Sequence, residues 1–248
     1  MSTSPGVPTG ADLEDLEALY KDLHRHPELS MQEQRTADIA AERLRAAGFE
    51  VTTGVGGTGV VGLLHNGDGP TVMLRADMDA LPVPEQTGLD YASTVDGVMH
   101  ACGHDMHVTW LVGVADALAA DRASWRGTVM AVFQPGEETA EGARAMLDDD
   151  IFERFPRPDV VLSQHVMPTP AGTFGSRPGV ITSAGDTIEV TMFGRGAHGS
   201  MPQASIDPVV MAAATVLRLQ GIVGREVSPA DPAMVTVGSV QAESKAYV

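Results

Sequence analysis

A single cysteine in 248 residues excludes any internal disulfide framework. The chain is therefore compatible with a reducing cytosol, and its one thiol has to be explained by packing, reactivity or metal. Cationic side chains are also scarce: 16 Lys+Arg stand against 33 Asp+Glu, a formal charge of -17 at pH 7. Such a surface would repel a phosphate backbone, which argues against nucleic acid as a partner. No uninterrupted apolar run approaches the roughly 18 residues needed to span a bilayer. The opening stretch, Met1 to Gly10, has neither a basic start nor an apolar centre, and reads as a flexible leader rather than a secretory signal. A soluble protein of the cytoplasm, with no membrane partner, is expected. Internal repeats are lacking too, and 43% hydrophobic with 20% charged residues is ordinary globular composition.

What is present is an alternation of helical and strand-like patterns. Leu13, Leu16, Tyr20 and Leu23 recur at helical spacing, and Ser30-Met31-Gln32-Glu33 has the form of a capping box opening a second helix, expected to run to Ala47 and stop at Gly48. Short β-rich runs follow at Val60 to Leu64 and Val72 to Ala76. A helix is expected from about His107 to Ala120, then apolar runs at Val129 to Phe133 and Val160 to Ser163. This order predicts an α/β sheet with helices on both faces. From about Gly185 the texture changes: Thr187 to Phe193 alternates like a half-exposed strand, Asp207-Pro208 caps a helix, and Met234 to Val240 would be the next strand. We read residues 1–10 as leader, 11–184 as a larger α/β domain and 185–248 as part of a smaller α+β unit.

Four clusters lie at or just beyond the ends of the expected strands of the first domain, where open α/β sheets place ligands. Asp77 and Asp79 leave the Val72 strand at i, i+2, and could bind metal or orient a ligating imidazole. The ordinary alternative is a turn before Pro82. In His100-Ala101-Cys102-Gly103-His104-Asp105, Cys102 and His104 are the ligand candidates, because thiolate and neutral imidazole both suit a borderline transition metal. Free cysteine is also commonly buried and inert. His100 and His107 read as structural or as groups standing behind the ligands, and Asp105 as a cap for the following helix. Glu137 and Glu138 follow the Pro135-Gly136 turn, so that one carboxylate can bind metal while its neighbour faces substrate as a proton carrier. His165 follows the Val160 strand at the same sheet edge. Asp148-Asp149-Asp150 reads as a solvated charge run.

Taken together, Asp77-Met-Asp-Ala-Leu-Pro82, His100-Ala-Cys-Gly-His-Asp105, Gln134-Pro-Gly-Glu-Glu138, His165 and Arg195-Gly-Ala-His-Gly-Ser-Met-Pro202 resemble the metal-dependent amidohydrolases that include hippurate hydrolase, N-acyl-amino-acid aminohydrolases and auxin-conjugate hydrolases. The segment Leu23 to Ser30 is similar to the N-terminal signature of that family. The resemblance implies a dinuclear-metallopeptidase-like sheet with two divalent metal ions, zinc, manganese, cobalt or nickel. Cys102 would bridge them, with His104, Glu138 and His165 as further ligands. It implies Glu137 as general base, Asp79 as the carboxylate behind a ligand, and His198 as the histidine of a lid and dimerisation domain that stabilises the developing oxyanion, usually across a dimer interface. The implied substrates are N-acyl amino acids or short peptides, and the implied assembly is a homodimer through the lid. Against that family the chain is expected to be C-terminally truncated: a returning segment with a final histidine ligand would follow Val248. Two functional classes follow, a working amidohydrolase and a catalytically incompetent metal-binding or dimerising fragment.

Overall fold

In the computed structural model residues 10–242 are described. Two compact units divide at Thr173 and Phe174. The first is an α/β unit. Helices α1 (Gly10–Arg25) and α2 (Gln34–Ala46) precede strands β1 (Glu50–Val55), β2 (Gly59–Asn66) and β3 (Thr71–Asp77). Helix α3 (His104–Ala120), β4 (Gly127–Gln134), short helices α4 (Gly142–Asp148) and α5 (Ile151–Arg154), and β5 (Val160–Ser163) complete it. The strand order is β1-β2-β4-β3-β5. Strand β2 runs antiparallel to β1 and β4, while β3 runs parallel to both β4 and β5.

Period-two alternation in the central strands explains the two-sided covering. Val129, Ala131 and Phe133 of β4, with Val60 and Leu64 of β2, face a cluster that includes Leu23 of α1, Leu44 of α2 and Val108 of α3. The intervening Met130 and Val132, with Val61, face Met146 of α4 and Ile151 of α5. Side chains on successive strand residues point to opposite faces, so one strand serves both cores. The parallel arrangement also places the C-terminal ends of β3, β4 and β5 at one edge, with Asp77, Gln134 and Ser163 as their last residues.

Three local expectations are corrected. Ser30 and Glu33 form no capping box: Glu28 caps α2 instead, its carboxylate accepting the N–H groups of Arg35 at 2.9 Å and Thr36 at 2.8 Å. Asp105 lies within α3, behind an N-cap at Gly103, and its side chain turns to His24 at 2.6 Å. The expected strands at 187–193 and 234–240 are not formed. Ile188, Phe193 and Met234 are exposed there, and an alternating segment becomes a strand only with a partner for its backbone groups. Sequence reading also passed over β1, whose polar Glu50-Val-Thr-Thr lies at the sheet edge.

In the second unit the expected helix is α6 (Pro208–Arg225), capped by Asp207, whose carboxylate accepts the N–H groups of Val209 and Val210 at 2.8 and 3.1 Å. A bridge joins Arg195 to Ile206, and a 3-10 turn covers Pro202–Ala204. No helix among the described residues is long and apolar enough to cross a membrane.

Candidate metal centre

The end of β3 carries the first two carboxylates into the unit. Asp77 is buried, accepting from His107 Nδ1 at 2.6 Å and from Arg75 Nη1 at 2.8 Å. Burial works to raise its pKa, but the His107 hydrogen bond and the nearby His104 and Arg75 charges outweigh that and hold it below the usual carboxylate range. Asp79, two residues on, is equally buried. It accepts from His104 Nδ1 at 3.1 Å, Ser30 Oγ at 2.7 Å and the Glu138 N–H at 2.9 Å. Here too burial opposes ionisation, and these donors overcome it, keeping the group well below its ordinary value.

His104 opens α3 with its ring fully enclosed. With Nδ1 given to Asp79, its Nε2 is buried without a hydrogen-bond partner. That atom faces Asp77 Oδ1 at 3.8 Å, Glu138 Oε1 at 3.9 Å and Glu137 Oε2 at 4.0 Å. A buried imidazole nitrogen left unpaired among three carboxylates is costly unless something cationic joins it. Burial lowers the His104 proton affinity, while Asp79, Asp77 and Glu138 raise it further than burial takes it down.

Cys102 stands two residues before, separated by Gly103 at φ +83°, where a Cβ would meet Val166 Cγ2 at 2.5 Å. Only glycine fits that left-handed, crowded position, so the short Cys-Gly-His spacing is a steric requirement. Cys102 Sγ lies 3.5 Å from His165 Nε2. His165 Nδ1 donates to the Val166 carbonyl at 2.7 Å, which leaves Nε2 with a lone pair turned toward the thiol. The Val166 N–H in turn donates to His107 Nε2 at 2.9 Å, so the Asp77–His107 pair tethers the chain beyond β5. Burial pushes the Cys102 thiol up to about 12, helped by Glu138, Glu137 and Asp77. A thiolate among those anions requires compensating positive charge.

Cys102, His104 and His165 offer ligand atoms within 4.8 Å of one another, and so do His104, Glu137 and Glu138. His104 is common to both groups. Asp77, His104 and His107 form a third such group, but the Asp77–His107 hydrogen bond already occupies its atoms. The Glu138 side chain is 22% exposed and that of Glu137 41%, so the first is the more enclosed of the two. His198 belongs to the second unit, where it is exposed. Its Nδ1 accepts from the Ser200 N–H at 3.2 Å and lies 2.8 Å from Ser200 Oγ, so the other nitrogen carries the ring proton. Sequence reading missed Ser30, whose hydroxyl reaches Asp79, and Glu33, and took both for helix capping.

A thiol, imidazoles and carboxylates converging at the strand ends of an α/β sheet make a candidate site for a divalent metal. The pattern of peptidase family M20/M25/M40 matches residues 73–242, and the chain belongs to that family. It is 40% identical over 244 residues to the hippurate hydrolase of Campylobacter jejuni, covering 95% of this chain and 62% of that protein. An N-acetylcysteine deacetylase of Bacillus subtilis is 40% identical over 231 residues, covering 90% of this chain and 59% of its own length. Among solved structures, the Bacillus subtilis YXEP protein, described as a dinuclear metal-binding peptidase of the M20 family, superposes with a TM-score of 0.61. That match is 40% identical and covers 65% of this chain and 45% of the other. The chain thus spans about three fifths of the length of these curated relatives.

Proposed function

We propose that the protein hydrolyses the amide bond of N-acyl amino acids, hippurate-like compounds among them, or of short peptides, as a metal-dependent amidohydrolase of the cytoplasm. The observation that carries this is the buried, unpartnered Nε2 of His104, facing Glu137 and Glu138 and sharing its surroundings with Cys102 and His165. Cys102, His104, Glu138 and His165 would hold the metal, and the mixed sulfur, nitrogen and oxygen donors suit manganese, zinc, cobalt or nickel. Two bound divalent cations would supply an acidified water and a polarised scissile carbonyl.

The chain's own groups account for the rest. Glu137, the more exposed carboxylate, takes the proton of the attacking water and delivers it to the leaving amine. Asp79 fixes the His104 ring through Nδ1, which keeps Nε2 free for a ligand. His198, with its Nδ1 satisfied by Ser200, has a ring N–H to offer a developing oxyanion. Residues 11–184 would form the catalytic domain, and 185–248 part of a lid through which two copies pair. A second reading is a metal-binding or dimerising fragment without turnover, for which the same group of ligand atoms would suffice.

The test is a screen of benzoyl-, acetyl- and indole-acyl amino acids before and after chelation. Release of free amino acid that chelator abolishes and divalent metal restores is expected. Turnover indifferent to chelator would sink the metallohydrolase reading, and chelator-sensitive metal binding with no turnover would favour the fragment.

A further inference from the structure

The chain between α1 and α2 contributes more than a connection. The Glu28 carbonyl accepts the Ala80 N–H at 2.8 Å, Leu29 bridges to Ala80, and Ser30 donates to Asp79. Glu33 then enters the interior, fully buried. Its Oε1 accepts the Met31 N–H at 2.9 Å and the Gly136 N–H at 2.7 Å, while Oε2 accepts from Thr58 Oγ1 at 2.6 Å. A buried carboxyl without partners is expensive, and here two backbone amides and a hydroxyl satisfy it. Helix capping does not explain its place, because Glu28 already caps α2.

Gly136 begins the turn that presents Glu137 and Glu138. Its φ is +50°, and a Cβ there would lie 2.7 Å from Met31 Sδ and 3.2 Å from the Gly142 nitrogen. The turn closes on itself through Gly142 N–H to the Gly136 carbonyl at 3.0 Å and Ala140 N–H to the Glu137 carbonyl at 2.9 Å. It is anchored at two points on either side of Glu137: Gly136 by Glu33, and Glu138 by Asp79.

We infer that Glu33 is a positioning residue that aims the Glu137–Glu138 turn, by holding the Gly136 amide and tying it to Thr58 and the α1–α2 connection. The inference rests on the reading of Glu137 as proton carrier and Glu138 as ligand. Loss of the Gly136 anchor would let the turn shift as a body, and a displacement of about 1 Å at reacting groups costs on the order of 100-fold in rate.

Cobalt(II) titration of the full chain, followed by its visible and thiolate-to-metal absorption, gives a readout independent of turnover. Glu33→Leu should weaken cobalt binding by about 10-fold or more and lower kcat with it. Glu33→Gln should restore both to within about threefold, since its amide oxygen can still accept the Met31 and Gly136 N–H groups while its NH2 donates to the Thr58 oxygen. A role confined to folding would lower the melting temperature of Glu33→Leu but leave cobalt affinity and spectrum of the folded protein unchanged, and that outcome overturns the inference. Should Glu33→Leu fail to fold, Thr58→Val decides: binding weaker by about 10-fold supports the inference, on the scale of outer partners of metal ligands, and binding within about threefold of the unsubstituted protein overturns it. If the unsubstituted protein bound no cobalt, the reading of the site itself would fall, and this inference with it.

Discussion

Asp77, Asp79, His104 and His107 on one side of the candidate centre are at most 1% exposed, each held by hydrogen bonds within the protein. Cys102 and His165 on the other side lie nearer solvent, linked to each other at 3.5 Å. The inner side is organised by its own donors and acceptors, with carboxylates held ionised and imidazoles turned by them. On the outer side burial, helped by the nearby Glu138, Glu137 and Asp77, keeps the Cys102 thiol protonated. The difference teaches that the protein sets the inner groups by itself, while on the proposed function a cation would bring the outer groups into their ligand state.

Substitutions should separate the two sides, and the largest effect is expected at the proton carrier. Glu137→Gln should lower kcat by roughly 10² to 10⁴-fold while metal content stays at the unsubstituted level, because general acid–base action contributes on that scale. Elemental analysis beside steady-state kinetics checks it, and normal turnover with metal retained would remove Glu137 from that role. On the inner side, Asp79→Ala strips His104, Ser30 and the Glu138 amide of their shared acceptor. Stability should fall by about 3–5 kcal/mol, as when one partner of a buried charged pair is removed, and urea unfolding of the metal-free protein reads this directly. On the outer side, Cys102→Ser should weaken metal binding by about 10-fold or more, yet move metal-free stability by no more than about 0.5 kcal/mol. Equal stability losses at Asp79 and Cys102 would erase the distinction.

Protons give a subtler contrast of the same kind. Asp77 and Asp79 are held below the ordinary carboxylate pKa, so the folded state binds their protons less readily than the unfolded state. Their contribution is present above about pH 4 and is lost as pH falls through the folded values. Cys102 runs the other way: with its thiol raised to about 12, the metal-free fold loses stability as pH climbs from the ordinary thiol range, about 8.5, toward that value. Cation binding must expel that proton. Metal affinity should therefore rise between about pH 6 and 9, and binding heats should vary with the ionisation enthalpy of the buffer. Heats indifferent to buffer would mean that Cys102 does not ligate as a thiolate.

Central strands β2 and β4 were legible because buried apolar runs such as Val129 to Phe133 carry their own signal. The candidate site could be picked out because Cys102, His104, Glu137, Glu138 and His165 all stand just beyond or between such elements. Hidden were the residues whose role depends on distant partners. Ser30 and Glu33 matched a local capping pattern, and only the folded chain shows that Asp79, 49 positions from Ser30, and Gly136, 103 positions from Glu33, take their polar groups. The reverse error befell 187–193 and 234–240, where an alternating pattern was present but no partner strand forms among the described residues. Edge strand β1 went unseen for the opposite reason, since its polar residues give little alternation while β2 supplies the pairing.

The most direct test is an anomalous-diffraction map of crystals grown with manganese or zinc. The account predicts two neighbouring peaks among His104 Nε2, Cys102 Sγ, His165 Nε2 and the Glu138 carboxylate. A metal-loaded protein whose peaks lay only on exposed acids such as Asp148 and Asp150, with His104 Nε2 still unliganded, would contradict it.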